Sequence, residues 1–204
     1  ILAVALGVVV GVVAAVNHGK WVDSVLMTIS VFGISAPAFW IAIILQIVIC
    51  LKFNLFPLSG IDSFKSFILP GIALGTRYAA SIARITRTSM LDVLSQDYIR
   101  TAEAKGLKGW VVTIKHALRN ALIPIITIAG SDLGNILTGS VLVESVFSIP
   151  GIGKMLVDSI NTRDLPIVQG GVMYIAVICV IMYLVVDLLY TVVDPRIRLG
   201  KESS

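Results

Sequence analysis

Residues 24–51 form a run of 28 residues without a charged side chain. About 20 consecutive apolar residues are enough for a helix to cross the hydrocarbon core of a bilayer. The run therefore predicts a membrane-spanning helix, with bends near Gly33 and Pro37. The composition agrees, because 57% of the residues are hydrophobic, only 14% are charged, and the mean hydropathy is +0.96. Soluble domains carry about 25% charged residues, so a soluble domain is excluded.

Four further apolar segments accompany this run. A membrane β-barrel would need alternating segments of about ten residues, whereas these segments are unbroken. We therefore predict an all-α, polytopic helix bundle that forms one transmembrane domain over residues 1–204. Its five transmembrane helices are expected at about residues 1–16, 24–51, 67–90, 121–143 and 165–193. The first run is short and has no basic flank, so we expect a missing beginning and six helices in the full-length protein.

The basic residues are divided unequally between the two ends of these helices. Eleven lie on one side and four on the other, with Arg77 inside a helix. Cytoplasmic loops carry an excess of Lys and Arg, so the loop at about 92–119 and the C-terminus are predicted to be cytoplasmic. The eleven are Lys20, Arg84, Arg87, Arg100, Lys105, Lys108, Lys115, Arg119, Arg196, Arg198 and Lys201, and the four are Lys52, Lys65, Lys154 and Arg163.

Two other features refine this bundle. Glycines four residues apart favour close helix packing in lipid, and they occur as Gly7 and Gly11, Gly71 and Gly75, and Gly130 and Gly134. An amphipathic segment at about 148–164 follows the break at Pro150 and is predicted to lie at the outer mouth.

The sequence predicts no catalytic residue, metal site or cofactor. The nearest approach to a phosphate-binding loop has Ser148 where the motif requires Gly, and Met155 where it requires Ser or Thr. His18 and His116 lie in predicted loops and form no metal-binding pair with a carboxylate at helical spacing. The excess of basic residues is explained by topology, so no nucleic acid partner is expected.

Two charges lie deep in predicted spans. Arg77 and Asp132 fall well inside their helices, where a charge is costly and usually faces a bundle interior or a water-filled path. We predict that both line a translocation path. A purely structural pair is the alternative interpretation, and an intramembrane enzyme that uses Asp132 is a rival of another class.

The cytoplasmic loop contains a predicted short helix. Ser95 is a candidate N-cap, Gly106 is expected to end the helix in a left-handed turn, and Gly109 adds a second break. Such a helix is suited to being gripped by a partner. From the residues alone, an ordinary basic loop is the other interpretation.

Five stretches of sequence resemble one family. They read Tyr98-Ile-Arg-Thr-Ala-Glu-Ala-Lys-Gly106, His116-Ala-Leu-Arg-Asn-Ala-Leu-Ile-Pro124, Val143-Glu-Ser-Val-Phe-Ser-Ile-Pro-Gly-Ile-Gly153, Arg163-Asp-Leu-Pro-Ile-Val-Gln-Gly170 and Asp187-Leu-Leu-Tyr-Thr-Val-Val-Asp-Pro-Arg-Ile-Arg198. With Leu69-Pro70 and residues 84–91 they resemble the ABC importer permeases, and within these the first permease subunit of the dipeptide, oligopeptide and nickel branch. The resemblance covers most of the chain from residue 69 onward.

The resemblance implies that the loop docks onto an ATPase. The wider importer loop has Glu-Ala-Ala, three residues, Gly, nine residues and Ile-x-Leu-Pro. Aligning that Gly with Gly106 leaves only Ala102, Gly106 and Leu118 in agreement with the pattern. The implied docking residues are Arg100, Thr101, Ala102, Glu103, Ala104, Lys105, Gly106 and Leu118.

The resemblance also implies a function and an assembly. The chain is expected to be a non-catalytic permease that imports peptides across a bacterial or archaeal cell membrane. Its expected partners are the lipid bilayer, a second homologous permease, two cytoplasmic ABC ATPase subunits and an extracytoplasmic solute-binding protein. Import of nickel or another small solute by the same machine is the first alternative. A stand-alone secondary carrier or an intramembrane enzyme is the alternative of another class.

The predicted orientation can be tested by labelling. Single cysteines introduced at Ser63 and Ser159 should react with a membrane-impermeant thiol reagent in intact cells, because both positions are predicted to be external. A cysteine at Lys108 should not react until the cells are opened. Labelling of the Lys108 position from outside would contradict the orientation.

Overall fold

A computed structural model describes residues 2–61, 63–139 and 141–193, and in these ranges the chain is helical and contains no strand. This confirms the all-α fold class. The α-helices are α1 (Leu2–Val16), α2 (Trp21–Ser35), α3 (Ala38–Leu45), α4 (Ile68–Leu94), α5 (Asp97–Ala104), α6 (Gly109–Val111), α7 (Arg119–Gly139), α8 (Val141–Val146), α9 (Ile152–Asn161) and α10 (Leu165–Val193). The tail residues Arg196, Arg198 and Lys201 lie outside the described residues.

Two described helical stretches are long and apolar enough to cross a membrane, namely Gly109–Asp132 and Leu165–Val185. A third crossing is obtained if the broken pair Trp21–Ser35 and Ala38–Lys52 forms one span. The helix α1 has only 15 residues, and the arginines of α4 lower its hydropathy. The predicted number of five spans therefore stays a prediction.

The predicted segment at 24–51 is interrupted at Pro37. A proline disfavours helical backbone in the residue before it, so α2 ends before Ala36 and α3 begins after Pro37. After α3 the chain winds more widely as a π-helix over Gln46–Lys52. The Gln46 side chain donates hydrogen bonds to the carbonyls of Leu58 (2.8 Å) and Val146 (3.2 Å).

The described residues divide into two compact units. The first comprises residues 2–34, 78–130 and 186–193, and the second comprises the rest. In the first unit α1 packs directly on the backbone of α4. A Cβ atom on Gly7 would lie 2.7 Å from the Ala79 carbonyl oxygen, and one on Gly11 would lie 2.5 Å from that of Ala83. This confirms the close packing predicted for the first glycine pair.

The other predicted glycine contacts differ. A Cβ atom on Gly71 would meet no atom within 4 Å, so that glycine makes no close helix contact in the described part of the chain. Gly134, the second member of the third pair, lies outside the residues whose surroundings are described. Among the paired glycines whose surroundings are described, Gly7 and Gly11 make a close crossing and Gly71 does not.

The second unit has its own apolar core. Its buried members come from the α3 region, the first turns of α4 and α8: Ala42, Cys50, Leu69, Ala73, Val143 and Phe147. The backbone N–H of Gly60 donates to the Phe147 carbonyl at 3.1 Å and ties the connecting segment to α8.

The outer segment predicted at 148–164 contains α9. Its first turn is held by the Glu144 carboxylate, which accepts a hydrogen bond of 3.0 Å from the Lys154 backbone N–H. A carboxylate at this end of a helix is favoured by the helix dipole. Ser159 is only 6% exposed, which makes the exposed Thr162 the better external labelling position.

Candidate functional site

The candidate docking helix is α5, and its start differs from the sequence-based expectation. The N-cap is Gln96, which has extended backbone and makes no side-chain capping bond. Ser95 lies one residue earlier and donates its hydroxyl to the Asp92 carbonyl at 2.8 Å, at the end of α4. The prediction of Ser95 as N-cap was therefore wrong, because α5 begins at Asp97 and the N-cap position falls on Gln96.

The end of α5 follows the sequence-based expectation. Gly106 has a φ of +76°, which confirms the left-handed turn predicted there. The N–H of Gly106 donates to the Glu103 carbonyl at 2.9 Å, and that of Leu107 donates to the Ala102 carbonyl at 3.4 Å. These two bonds form a Schellman cap, which satisfies carbonyls that the end of a helix leaves unpaired.

One face of α5 packs on the first unit. Ile99 is 1% exposed and Ala102 is 7% exposed, and both belong to a buried cluster with Met90, Val112 and Ala117. The side chain of Asn120 in α7 donates a hydrogen bond of 2.9 Å to the Tyr98 hydroxyl. The docking helix is thus fixed to α4 and to the helix that follows it by apolar contacts and one polar contact.

The predicted docking residues fall into two groups. Ala102 is buried, and Leu118 is partly buried against the same cluster, so both hold α5 in place. The other six are exposed and form the free face of the loop: Arg100, Thr101, Glu103, Ala104, Lys105 and Gly106. Arg100 lies 3.9 Å from the Asp97 carboxylate, and both side chains are exposed. Such a pair contributes little to stability and leaves both charges available to a partner.

The helix after the loop begins earlier than the apolar run indicates. It starts at Gly109, continues as a π-helix over Val112–Leu118 and joins α7, whereas the sequence placed a span at 121–143. The basic side chains of Lys115 and Arg119 are exposed on this extension. A helix can continue past the apolar region when its charged residues face water, so hydropathy alone does not locate its end.

Arg77 and Asp132, the two candidate path residues, both belong to the second unit. Arg77 is exposed and Asp132 is half-buried, and they interact electrostatically without forming an ion pair within 4.0 Å. The Oδ2 atom of Asp132 is buried and has no hydrogen-bond partner among the described residues. The structure brings the two charges near each other, and the Oδ2 atom of Asp132 has no partner in the described ranges.

A buried ionic cluster in the first unit escaped the sequence analysis. Asp23 is 4% exposed and receives two hydrogen bonds from Arg87, from Nε at 2.6 Å and from Nη2 at 2.7 Å. The Gly19 N–H also donates to Asp23 at 3.1 Å, and His18 Nδ1 lies 3.2 Å from the same carboxylate. Asp23 and Arg87 are 64 residues apart, so no local spacing signals the pair. The one feature of the sequence that points to this cluster is Asp23 itself, an acidic residue immediately before the uncharged run at 24–51.

The buried face of α5 generates a prediction about two alanines. Ala102→Leu should destabilise the protein by about 1–3 kcal/mol, because it overpacks the cluster around Ile99. Ala104→Leu, on the exposed face of the same helix, should leave stability unchanged. Thermal unfolding of the purified protein in detergent measures both. Equal melting temperatures for the two variants would contradict the packing of α5.

Comparison with known proteins adds independent information. Residues 7–199 match the family described as binding-protein-dependent transport system inner membrane component. The dipeptide transport system permease protein DppB of Bacillus subtilis (strain 168) is 46% identical over 203 residues, which is 100% of this chain and 66% of that protein.

Glutathione transport system permeases are similar to the same degree. The GsiC protein of Escherichia coli (strain K12) is 45% identical over 196 residues, covering 96% of this chain and 64% of its own length. The GsiC protein of Salmonella choleraesuis (strain SC-B67) is 44% identical over 198 residues, 97% of this chain and 65% of its own length. The chain thus spans slightly less than two thirds of these relatives. It belongs to the family of binding-protein-dependent transport system inner membrane components.

Proposed function

We propose that this chain is a non-catalytic permease subunit of an ATP-driven importer for peptides. Two facts support the substrate class: one relative is named for dipeptides, and others for glutathione, which is itself a peptide. Import of nickel or another small solute is the alternative within the same machine. An intramembrane enzyme or a stand-alone carrier is not favoured, because the relatives are permease proteins of transport systems.

The observation that carries the proposal is the construction of α5. Its buried face is fixed to the first unit by Ile99 and Ala102, and its opposite face is exposed and carries charges of both signs. A helix of eight residues held in this way is a rigid projection, which a partner can grip and displace together with the helices beneath it. A permease that works alone has no need of such a projection.

The proposed assembly follows from this role. Two cytoplasmic ABC ATPase subunits close on ATP and displace α5, and a second homologous permease completes the path. An extracytoplasmic solute-binding protein delivers the substrate. The complex lies in the cell membrane of a bacterium or archaeon, with the loop at 92–119 and the C-terminus in the cytoplasm. The excess of basic residues on that side supports this orientation.

The proposed path contains Arg77 and Asp132. A free peptide carries an ammonium and a carboxylate group, so a path with both signs of charge offers a partner to each end. The unpartnered Oδ2 atom of Asp132 supports this role, because a buried carboxylate oxygen without a hydrogen bond is costly unless a solute, water or another subunit satisfies it.

The docking role can be tested at Gly106. Gly106→Val should abolish ATP-dependent dipeptide uptake by proteoliposomes containing the complete importer, although the permease still inserts. A β-branched residue at this φ costs about 1–2 kcal/mol and disrupts the cap of α5. Gly109→Val is the matched control, since Gly109 has open space around it and no positive φ. Native uptake by the Gly106 variant would refute the docking role.

If Arg77 and Asp132 line the path, removing either charge should change the rate of peptide uptake but not the order in which peptides are preferred. Loss of one charge-assisted contact of about 1.5 kcal/mol slows passage about tenfold. Arg77→Gln and Asp132→Asn should therefore each slow dipeptide uptake by about this factor, while the ranking of different peptides stays the same. Initial uptake rates for a small set of peptides measure both quantities. If both variants transport at the native rate, the two charges are structural.

A further inference from the structure

The Asp23–Arg87 ion pair occupies a particular place in the first unit. Asp23 lies in the first turn of α2, and Arg87 lies in the C-terminal half of α4. Met90, one turn after Arg87, is fully buried in the same cluster as Ile99 and Ala102 of α5. The ion pair therefore lies one helical turn from a member of the cluster on which α5 packs.

The geometry of the pair is rigid. Two hydrogen bonds of 2.6 and 2.7 Å run from Nε and Nη2, on one edge of the Arg87 guanidinium, to the two oxygens of the Asp23 carboxylate. A bidentate contact of this kind fixes orientation as well as distance, whereas apolar side chains can slide past one another. The side chains of Asp23 and Arg87 are only 6% and 23% exposed, so water screens the pair weakly.

Neighbouring groups strengthen this arrangement. The turn between α1 and α2 contributes the Gly19 N–H to Asp23, and Arg87 Nη2 lies 3.0 Å from His18 Nδ1. Gly11 of α1 lies against Ala83 and Thr86 of α4, immediately before Arg87. The end of α1, the connecting turn and the start of α2 are thus all attached to one short stretch of α4.

We propose that the Asp23–Arg87 pair is the joint through which displacement of α5 passes from α4 to α1 and α2. The inference rests on the proposed importer function and adds two positioning residues to it. Neither residue contacts substrate or nucleotide in this role. Their effect is to make the helices of the first unit move together when the docking helix is displaced.

A double-mutant cycle in the complete importer tests the joint. Asp23→Asn, Arg87→Gln and the double variant are reconstituted in proteoliposomes, and dipeptide uptake and ATP hydrolysis are measured per assembled complex. Arg84→Gln is the matched control, because Arg84 is exposed one turn earlier on the same helix. Each single variant should lower the ratio of uptake to ATP hydrolysed by about fivefold or more. The double variant should be no worse than the more affected single variant, because the two residues act as one unit.

Several results would overturn the proposal. A native ratio in the single variants would do so, and so would effects that multiply in the double variant. Uptake and hydrolysis that fall only in proportion to the amount of assembled complex would show that the pair merely holds the fold. If these variants do not assemble, Arg87→Lys decides, since it keeps the charge and loses the bidentate contact. A native ratio or failed assembly in Arg87→Lys also refutes the joint.

The native importer in the same vesicles separates this inference from the proposed function. If the native protein shows no ATP-dependent dipeptide uptake, the proposed function is refuted, and the proposed role of the Asp23–Arg87 pair is refuted with it. If the native protein transports and the variants behave like Arg84→Gln, only the joint is refuted.

Discussion

Helices that lie in lipid gain almost nothing from burying an apolar face, because the lipid chains are as apolar as the neighbouring helix. The first unit therefore depends on contacts that lipid cannot supply. One is the approach of α1 to the backbone of α4 at Gly7 and Gly11, where a single added carbon would overlap a carbonyl oxygen. The other is the bidentate bond between Asp23 and Arg87. The cluster that carries α5 includes residues of α1 and α4, which these contacts hold together.

The loop residues that agree with the family pattern are also the ones that position the loop in the structure. Only Ala102, Gly106 and Leu118 of this loop agree with the wider importer pattern. In the structure these residues shape the loop itself: Ala102 and Leu118 pack on the buried cluster, and Gly106 forms the left-handed cap. The departures from the pattern are at Arg100, Thr101, His116 and Arg119. We infer that the three shared residues fix the position of α5 on the first unit.

The sequence predicts the features that depend on local chemistry. An uncharged run of 28 residues requires helical spans, and a glycine after a short polar helix favours a left-handed cap whatever surrounds it. It does not predict features that depend on distant partners. The Asp23–Arg87 pair joins residues that the chain brings together only after α1, α2 and α4 have packed. The N-cap prediction at Ser95 was wrong because α5 begins at Asp97, so the N-cap is Gln96, and Ser95 instead donates to the Asp92 carbonyl at the end of α4.

The arrangement of Arg77 and Asp132 is relevant to how the proposed importer selects its substrate. Arg77 and Asp132 are close enough to interact but do not form an ion pair, so neither fully satisfies the other. A solute that passed between them would gain a partner for each of its charges without a close fit to its side chains. A tighter site would slow release into the cytoplasm, since bound solute must leave in every cycle. In the proposed importer, such a pair of charges would contact the ammonium and carboxylate ends of a peptide and would not read its side chains.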